Sequence, residues 1–259
     1  MISITSAQLN ALLTAFIWPL ARILALIMSA PVFSNPAMPL RVRVGLAIMI
    51  TLIVAPTLGP LPAIDPGSLT GLFILAQQII IGLALGFAIR LVFVAVEMAG
   101  ELAGLQMGLG FAVFFDPQHA GQTPVVGQFL GIVATLAFLA ADGHLQMIYF
   151  LSLSFSTLPI GTASLEAPTF IMLTQWGAEI FRSGVLLAMP ILAALLIANL
   201  ALGILTRAAP QLNLFAVGFP LTLGLGLLML SLTLPFLTPA LERLFESGFD
   251  AMLRVSARP

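Results

Sequence analysis

The sequence predicts an all-α, membrane-associated protein built from long, broken helical hairpins. Three observations predict it. Of 259 residues, 60% are hydrophobic and 7% are charged, whereas an ordinary soluble domain is about one quarter charged. A chain this apolar cannot cover itself with polar surface, so it lives in lipid, among other hydrophobic chains, or both. Apolar runs near the ~20 residues that a bilayer crossing needs recur along its length. The breaks between runs carry turn chemistry: Asn35-Pro36 and Pro39, Pro56, Pro60 and Pro62 leading to Asp65-Pro66-Gly67, Asp142-Gly143, Pro159-Ile160-Gly161, and Ala209-Pro210.

The runs are 8–34, 44–59, 69–96, 125–141, 144–158, 170–206 and 214–237. Several make poor simple spans. The first holds Pro19 and Arg22, the second and fifth are short, and 170–206 holds Glu179, Arg182, Pro190 and Asn199. Such groups sit in membrane helices mainly where they face a bundle interior or a water-filled path. The last run gives way to an amphipathic tail, with Thr238 as helix cap and Pro239 at the first helical position. Leu241, Leu244, Phe245, Met252 and Leu253 fall on one face of that tail, and Glu242, Glu246, Asp250 and Arg254 on the other.

Arg41 and Arg43 place the first loop in the cytoplasm by the positive-inside rule. One crossing per run then puts Arg207 outside, against the same rule. Either one short run does not cross, or the hairpins are not ordinary spans. The first basic residue, Arg22, already lies inside an apolar run. The charged start of a cleavable signal peptide is therefore missing, and insertion is expected to use the first hydrophobic runs themselves.

The residue inventory excludes whole classes of chemistry. The chain has no Cys, and all nine basic residues are Arg. Disulfides, thiolate catalysis and Cys-ligated metals are out, and so are a P-loop and Schiff-base chemistry, both of which need Lys. His119 and His144 stand far apart, outside any metal-ligand cluster. The net charge of -1 offers no footprint for nucleic acid. No catalytic group, cofactor site or metal site is expected.

The most unusual stretch is 104–127, GLQMGLGFAVFFDPQHAGQTPVVG. Irregular backbone between membrane-grade helices is costly unless protein or a cavity surrounds it. Gly100, Gly104 and Gly108 recur every four residues on the helix that enters it, as do Gly82 with Gly86 and Gly127 with Gly131. Small residues at that interval let helices approach closely, which is ordinary bundle packing; the alternative is a helix at 100–108 that slides or tilts against its neighbour. Glu97 and Glu101, one turn apart on the same helix, suit a water-facing or Arg-paired surface, or a proton relay. Asp116-Pro117 after Phe114-Phe115 signals a turn. The stretch reads as a surface loop with buried aromatics, or as a plug in which Gly110, Phe111, Phe114, Phe115, Asp116, Pro117 and Gly121 form a hydrophobic constriction that blocks ions by dewetting. Further on, RAAPQLNLFAVGFP at 207–220 joins two apolar runs. It reads as a simple turn or as a docking point, with Arg207, Pro210, Gln211 and Asn213 at the hairpin tip.

That last block resembles the signature hairpin of the FliR family, components of the flagellar type III export gate. GLGFAVFFDPQHAGQTPV is similar to the family's central loop, ADGHLQMIYFLSLSFSTLPIG at 141–161 to the segment after it, and NPAMPLRVRVGLA to the block at 35–47. The likeness extends over the whole chain. Injectisome counterparts share the hairpin signature, but Gly143-His144 and Thr157–Gly161 look more flagellar. The resemblance implies a non-enzymatic subunit of a helical export gate in the bacterial inner membrane, within the flagellar basal body. It implies FliP-type and FliQ-type neighbours, FlhB-type and FlhA-type export proteins, and unfolded secreted proteins as cargo. Residues 1–179 would imitate a FliP subunit and 180–259 a FliQ subunit. The loop at 104–127 would map onto the plug, and the Arg207–Asn213 turn onto the tip that meets neighbouring subunits. The rivals are the equivalent injectisome subunit and a small proton-coupled transporter using Glu97, Glu101 and Glu179.

Overall fold

A computed structural model describes residues 6–59, 61–62, 64–111, 124–161, 167–211 and 214–256. Seven α-helices run through them: α1 Ser6–Ser29, α2 Leu40–Val54, α3 Leu69–Gln106, α4 Val125–Ala140, α5 Gly143–Thr157, α6 Ala167–Ala208 and α7 Leu214–Ser256. Short 3-10 turns at Ala55–Thr57 and Leu109–Phe111 follow α2 and α3. No strand occurs among the described residues. The fold is thus the all-α arrangement of long apolar helices that the composition predicts.

The turns use the residues expected of them. The Asn35 side chain accepts a hydrogen bond from the Ala37 amide at 2.9 Å, and the Arg43 guanidinium donates to the Asn35 carbonyl at 2.6 Å, closing the first turn. Asp65 Oδ1 accepts from the Gly67 amide at 2.9 Å, and Ser68 Oγ accepts from the Gly71 amide at 3.0 Å, capping the start of α3. Asp142 adopts a left-handed φ of 55° before α5, and Gly161 reaches φ 91° after it.

The chain divides into two compact units. The first comprises residues Met1–Leu91, Asp142–Gly177 and Phe245–Pro259. Its core is Trp18, Ile23, Leu26, Ile81, Leu85, Met147 and Leu151, together with a fully buried Arg22. α1 lies so close to α3 that a methyl group at Gly82 would overlap the Arg22 carbonyl and sit 2.8 Å from Ala25 Cβ. The Arg22 guanidinium ties three helices. Nε donates to Gln78 Oε1 at 2.9 Å, one terminal nitrogen donates to the Ser154 carbonyl at 2.7 Å, and the other to the Leu158 carbonyl at 2.8 Å. Its carbon lies 4.3 Å from the Phe155 ring centre. The last carbonyls of a helix lack intrahelical partners and carry the negative end of its dipole. Arg22 therefore caps the C-terminus of α5, which explains why a charge is kept inside an apolar helix.

The second unit comprises Val92–Ala141 and Ala178–Leu244. Ala103, Met107, Val126, Ile191 and Leu195 form a core cluster, with Leu223, Met229 and Leu230 packed on it. Phe93 and Phe138 meet edge to face with ring centres 5.5 Å apart.

One boundary departs from expectation. The sequence places a helix start at Thr238-Pro239, yet α7 runs unbroken through Pro220, Pro235 and Pro239. An interior proline costs about 3 kcal/mol. Burial of a large apolar side chain returns about 1.5–3 kcal/mol, and Leu241, Phe245, Phe249 and Met252 are all buried. At the Thr238-Pro239 boundary, these several buried side chains outweigh the strain of that one proline. Glu242, Glu246, Asp250 and Arg254 remain exposed on the opposite face.

Four helical stretches among the described residues are long and apolar enough to cross a membrane, or five if α4 and α5 count as one broken span. Counted from the loop at Arg41 and Arg43, the five-span reading brings Arg207 to the cytoplasmic side, in keeping with the positive-inside rule, whereas the four-span reading leaves it outside.

Candidate functional site

The site is built from the end of α3, the start of α4 and the part of α7 beside them, all in the second unit. The described ends of the 104–127 stretch are helical: α3 continues through Gln106, and α4 begins at Val125 after Pro124. Phe114, Phe115, Asp116, Pro117 and Gly121 lie outside the described residues. Gly110 and Phe111 belong to the 3-10 turn, where a methyl at Gly110 would sit 3.2 Å from Leu105 Cδ2.

The three glycines of the ladder have three different surroundings. A methyl on Gly100 would lie 2.6 Å from Gly127 Cα and 2.7 Å from both the Gly127 nitrogen and the Val126 carbonyl oxygen. That is backbone against backbone, a close approach of α3 to α4. At Gly104 the nearest atom to such a methyl is Val126 Cγ2 at 3.5 Å, an ordinary contact. Gly108 lies beyond the helix with φ 89°, where its lack of Cβ permits a backbone reversal.

Met107, the residue before that reversal, is fully buried. Its amide still bonds the Ala103 carbonyl at 2.9 Å, so helical bonding reaches it. Its carbonyl lies 3.2 Å from Thr222 Oγ1, which donates from α7. Its side chain fills the space above Gly226, so that a methyl there would overlap Cγ and sit 2.8 Å from Sδ. Nothing in the sequence singles out a lone Met in an apolar run, so this contact was invisible beforehand. A cavity of about 420 Å³ lies in the same unit, lined by apolar side chains including Val96, Leu130, Leu187, Ile191 and Phe236.

The acidic candidates do not converge. Glu97 and Glu101 are exposed on α3, with a methyl at Gly131 placed 3.1 Å from Glu97 Oε1. Glu179 pairs with Arg182 at 3.3 Å on the surface of α6. Among the described residues no group of three or more His, Asp or Glu stands together to hold a metal ion. Arg207 closes α6, with Pro210 and Gln211 just beyond, all three exposed; Asn213 lies outside the described residues.

Known proteins resemble the chain along nearly its whole length. The family described as bacterial export proteins, family 1, matches residues 13–248. A flagellar biosynthetic protein FliR of Pectobacterium carotovorum is 48% identical over 252 residues, covering 97% of this chain and 96% of the relative. Its namesake in Escherichia coli K12 is 44% identical over the same shares. That of Bacillus subtilis is 27% identical across 95% of this chain and 96% of the relative. Matches of this identity and extent leave one assignment: the chain belongs to the FliR family of bacterial export proteins.

Proposed function

We propose that the chain is a structural and gating subunit of the flagellar type III export gate, lining and closing the pore through which unfolded flagellar proteins leave the cell. The observation that carries this reading is the family match, which runs through both the 104–127 and 207–220 blocks. Membership makes the chain a membrane component of the flagellar export apparatus, from a family of structural components and not a known enzyme family. The finer assignment places it in the inner membrane beside FliP-type and FliQ-type subunits and FlhB-type and FlhA-type proteins. In it, residues 1–179 act as the FliP-like part and 180–259 as the FliQ-like hairpin.

The unpartnered surface supports a life among other helices. Leu196, Ile197, Leu200 and Ile204 on α6 and Leu227, Leu228, Leu232 and Phe236 on α7 are exposed. Gly203 and Gly224 sit in those helices with nothing within 4 Å of an added methyl. A helical glycine costs about 1 kcal/mol relative to alanine, a cost that neighbouring subunits packed against it would offset.

The test is ion permeability. Alanine at Phe111, Phe114 and Phe115 together is expected to let ions through the assembled gate, because a dewetted constriction depends on bulky apolar groups. Unchanged permeability in cells that make normal amounts of complex would remove the plug from this reading. The hairpin tip is tested separately. Arg207→Glu and Asn213→Ala are each expected to lower recovery of FliP-type and FliQ-type subunits in co-purification, and full recovery with both variants would refute the docking role.

A further inference from the structure

We infer that Met107 is a positioning residue: seated in the notch at Gly226 and tied to Thr222, it anchors the end of α3 to α7 and fixes the direction in which the chain leaves α3 at Gly108. Four observations, all within the second unit, converge on it. The Met107 amide bonds the Ala103 carbonyl, so the helix is intact to this residue, and the next residue turns at φ 89°. The point of departure is therefore a sharp corner and not a fraying end. The Met107 carbonyl is one of the orphan acceptors at a helix C-terminus. It is met by Thr222 Oγ1, 115 positions away, whose hydrogen is shared with the Phe219 carbonyl at 3.1 Å.

The third observation is the notch. Gly226 is buried inside α7, where alanine would favour the helix by about 1 kcal/mol. A side chain at 226 would displace Met107 near its root, at Cγ, not only at its flexible tip. The fourth is burial. Met107 is fully enclosed, in a cluster with Ala103, Val126, Ile191 and Leu195 contributed by α3, α4 and α6. Methionine fills irregular gaps well, and here it fills one that only a glycine leaves open. Three neighbouring helices thus hold one residue, and that residue precedes the corner.

The functional readout rests on the gate reading above, and the experiment separates the two. Complexes carrying Gly226→Val, the Gly226→Val/Met107→Ala pair, Thr222→Val and the triple phenylalanine-to-alanine variant are compared for subunit recovery and for ion permeability. Valine at 226 pushes Met107 out of its seat, so a several-fold rise in permeability is expected in assembled complexes. Shortening Met107 in the same chain makes room for the valine and is expected to return permeability toward that of the unaltered gate. General damage to packing would not show such rescue. If Gly226→Val abolishes recovery of the complex, Thr222→Val decides, since it keeps the shape and removes only the hydroxyl; a leak is again expected. Tight complexes with both single variants, alongside a leaking phenylalanine variant, overturn the anchor and leave the gate standing. Tight complexes throughout overturn both.

Discussion

Leucine in place of Arg22 is expected to destabilise the first compact unit by about 2–6 kcal/mol, since each buried acceptor left without a donor costs roughly 1–3 kcal/mol. The substitution keeps an apolar side chain of fair size but removes the donors to Gln78 Oε1, the Ser154 carbonyl and the Leu158 carbonyl. The Ser154 carbonyl keeps the Leu158 amide at 3.0 Å, so two acceptors are stranded, not three. Against a typical total of about 5–15 kcal/mol for a folded domain, that is enough to populate unfolded chains. Lysine at 22 is expected to fall between arginine and leucine, because a single ammonium on a flexible stem cannot reproduce the planar fork that reaches both α3 and α5. Thermal unfolding of the purified protein in detergent reads the effect. Arg182→Ala is the control: its pair with Glu179 is exposed, and such pairs contribute at most about 1 kcal/mol. Equal melting of Arg22→Leu and Arg182→Ala would show that Arg22 is not a structural hub.

Alanine at Gly100 and alanine at Gly104 are expected to act in opposite directions, although the two glycines share one helix and one repeat. At 100 the new methyl meets only backbone of α4, with 2.6 Å to Gly127 Cα. Backbone cannot rotate aside as a side chain can, so α3 and α4 must separate, at about 1–3 kcal/mol for an overpacked site. At 104 the nearest atom is 3.5 Å away, so the methyl fits and the gain in helix propensity, up to about 1 kcal/mol, is left over. Gly100→Ala therefore lowers the melting temperature of the purified chain, and Gly104→Ala holds or raises it. A parallel loss in both would mean that the ladder works as a single seam and that the Gly100 contact is not special.

These two cases mark where the sequence was readable. Helix positions were legible because apolar runs and turn residues are local signals: Asn35, Asp65, Asp142 and Gly161 sit in the turns where their side chains or backbone freedom are used. The candidate plug was legible only as a composition, and most of its residues lie outside those described. Arg22 was visible as an anomaly in an apolar run, but its partners were not, since they stand 56, 132 and 136 positions away. The continuity of α7 was misread because the proline rule is local, whereas burial of the tail is not.

By itself the sequence determined the class of protein, the order of its helices and where most of them begin, the exclusion of lysine and thiol chemistry, and, through resemblance, the family. Each of these follows from composition, from near neighbours along the chain, or from blocks of consecutive residues. Tertiary structure alone decided what Arg22 caps, which glycine of the ladder carries a helix contact and which turns the backbone, and that Met107 is seated against Gly226. Those depend on distances between residues far apart in the chain, where a few tenths of an ångström separate a contact from a clash, and spacing along a sequence does not carry that information.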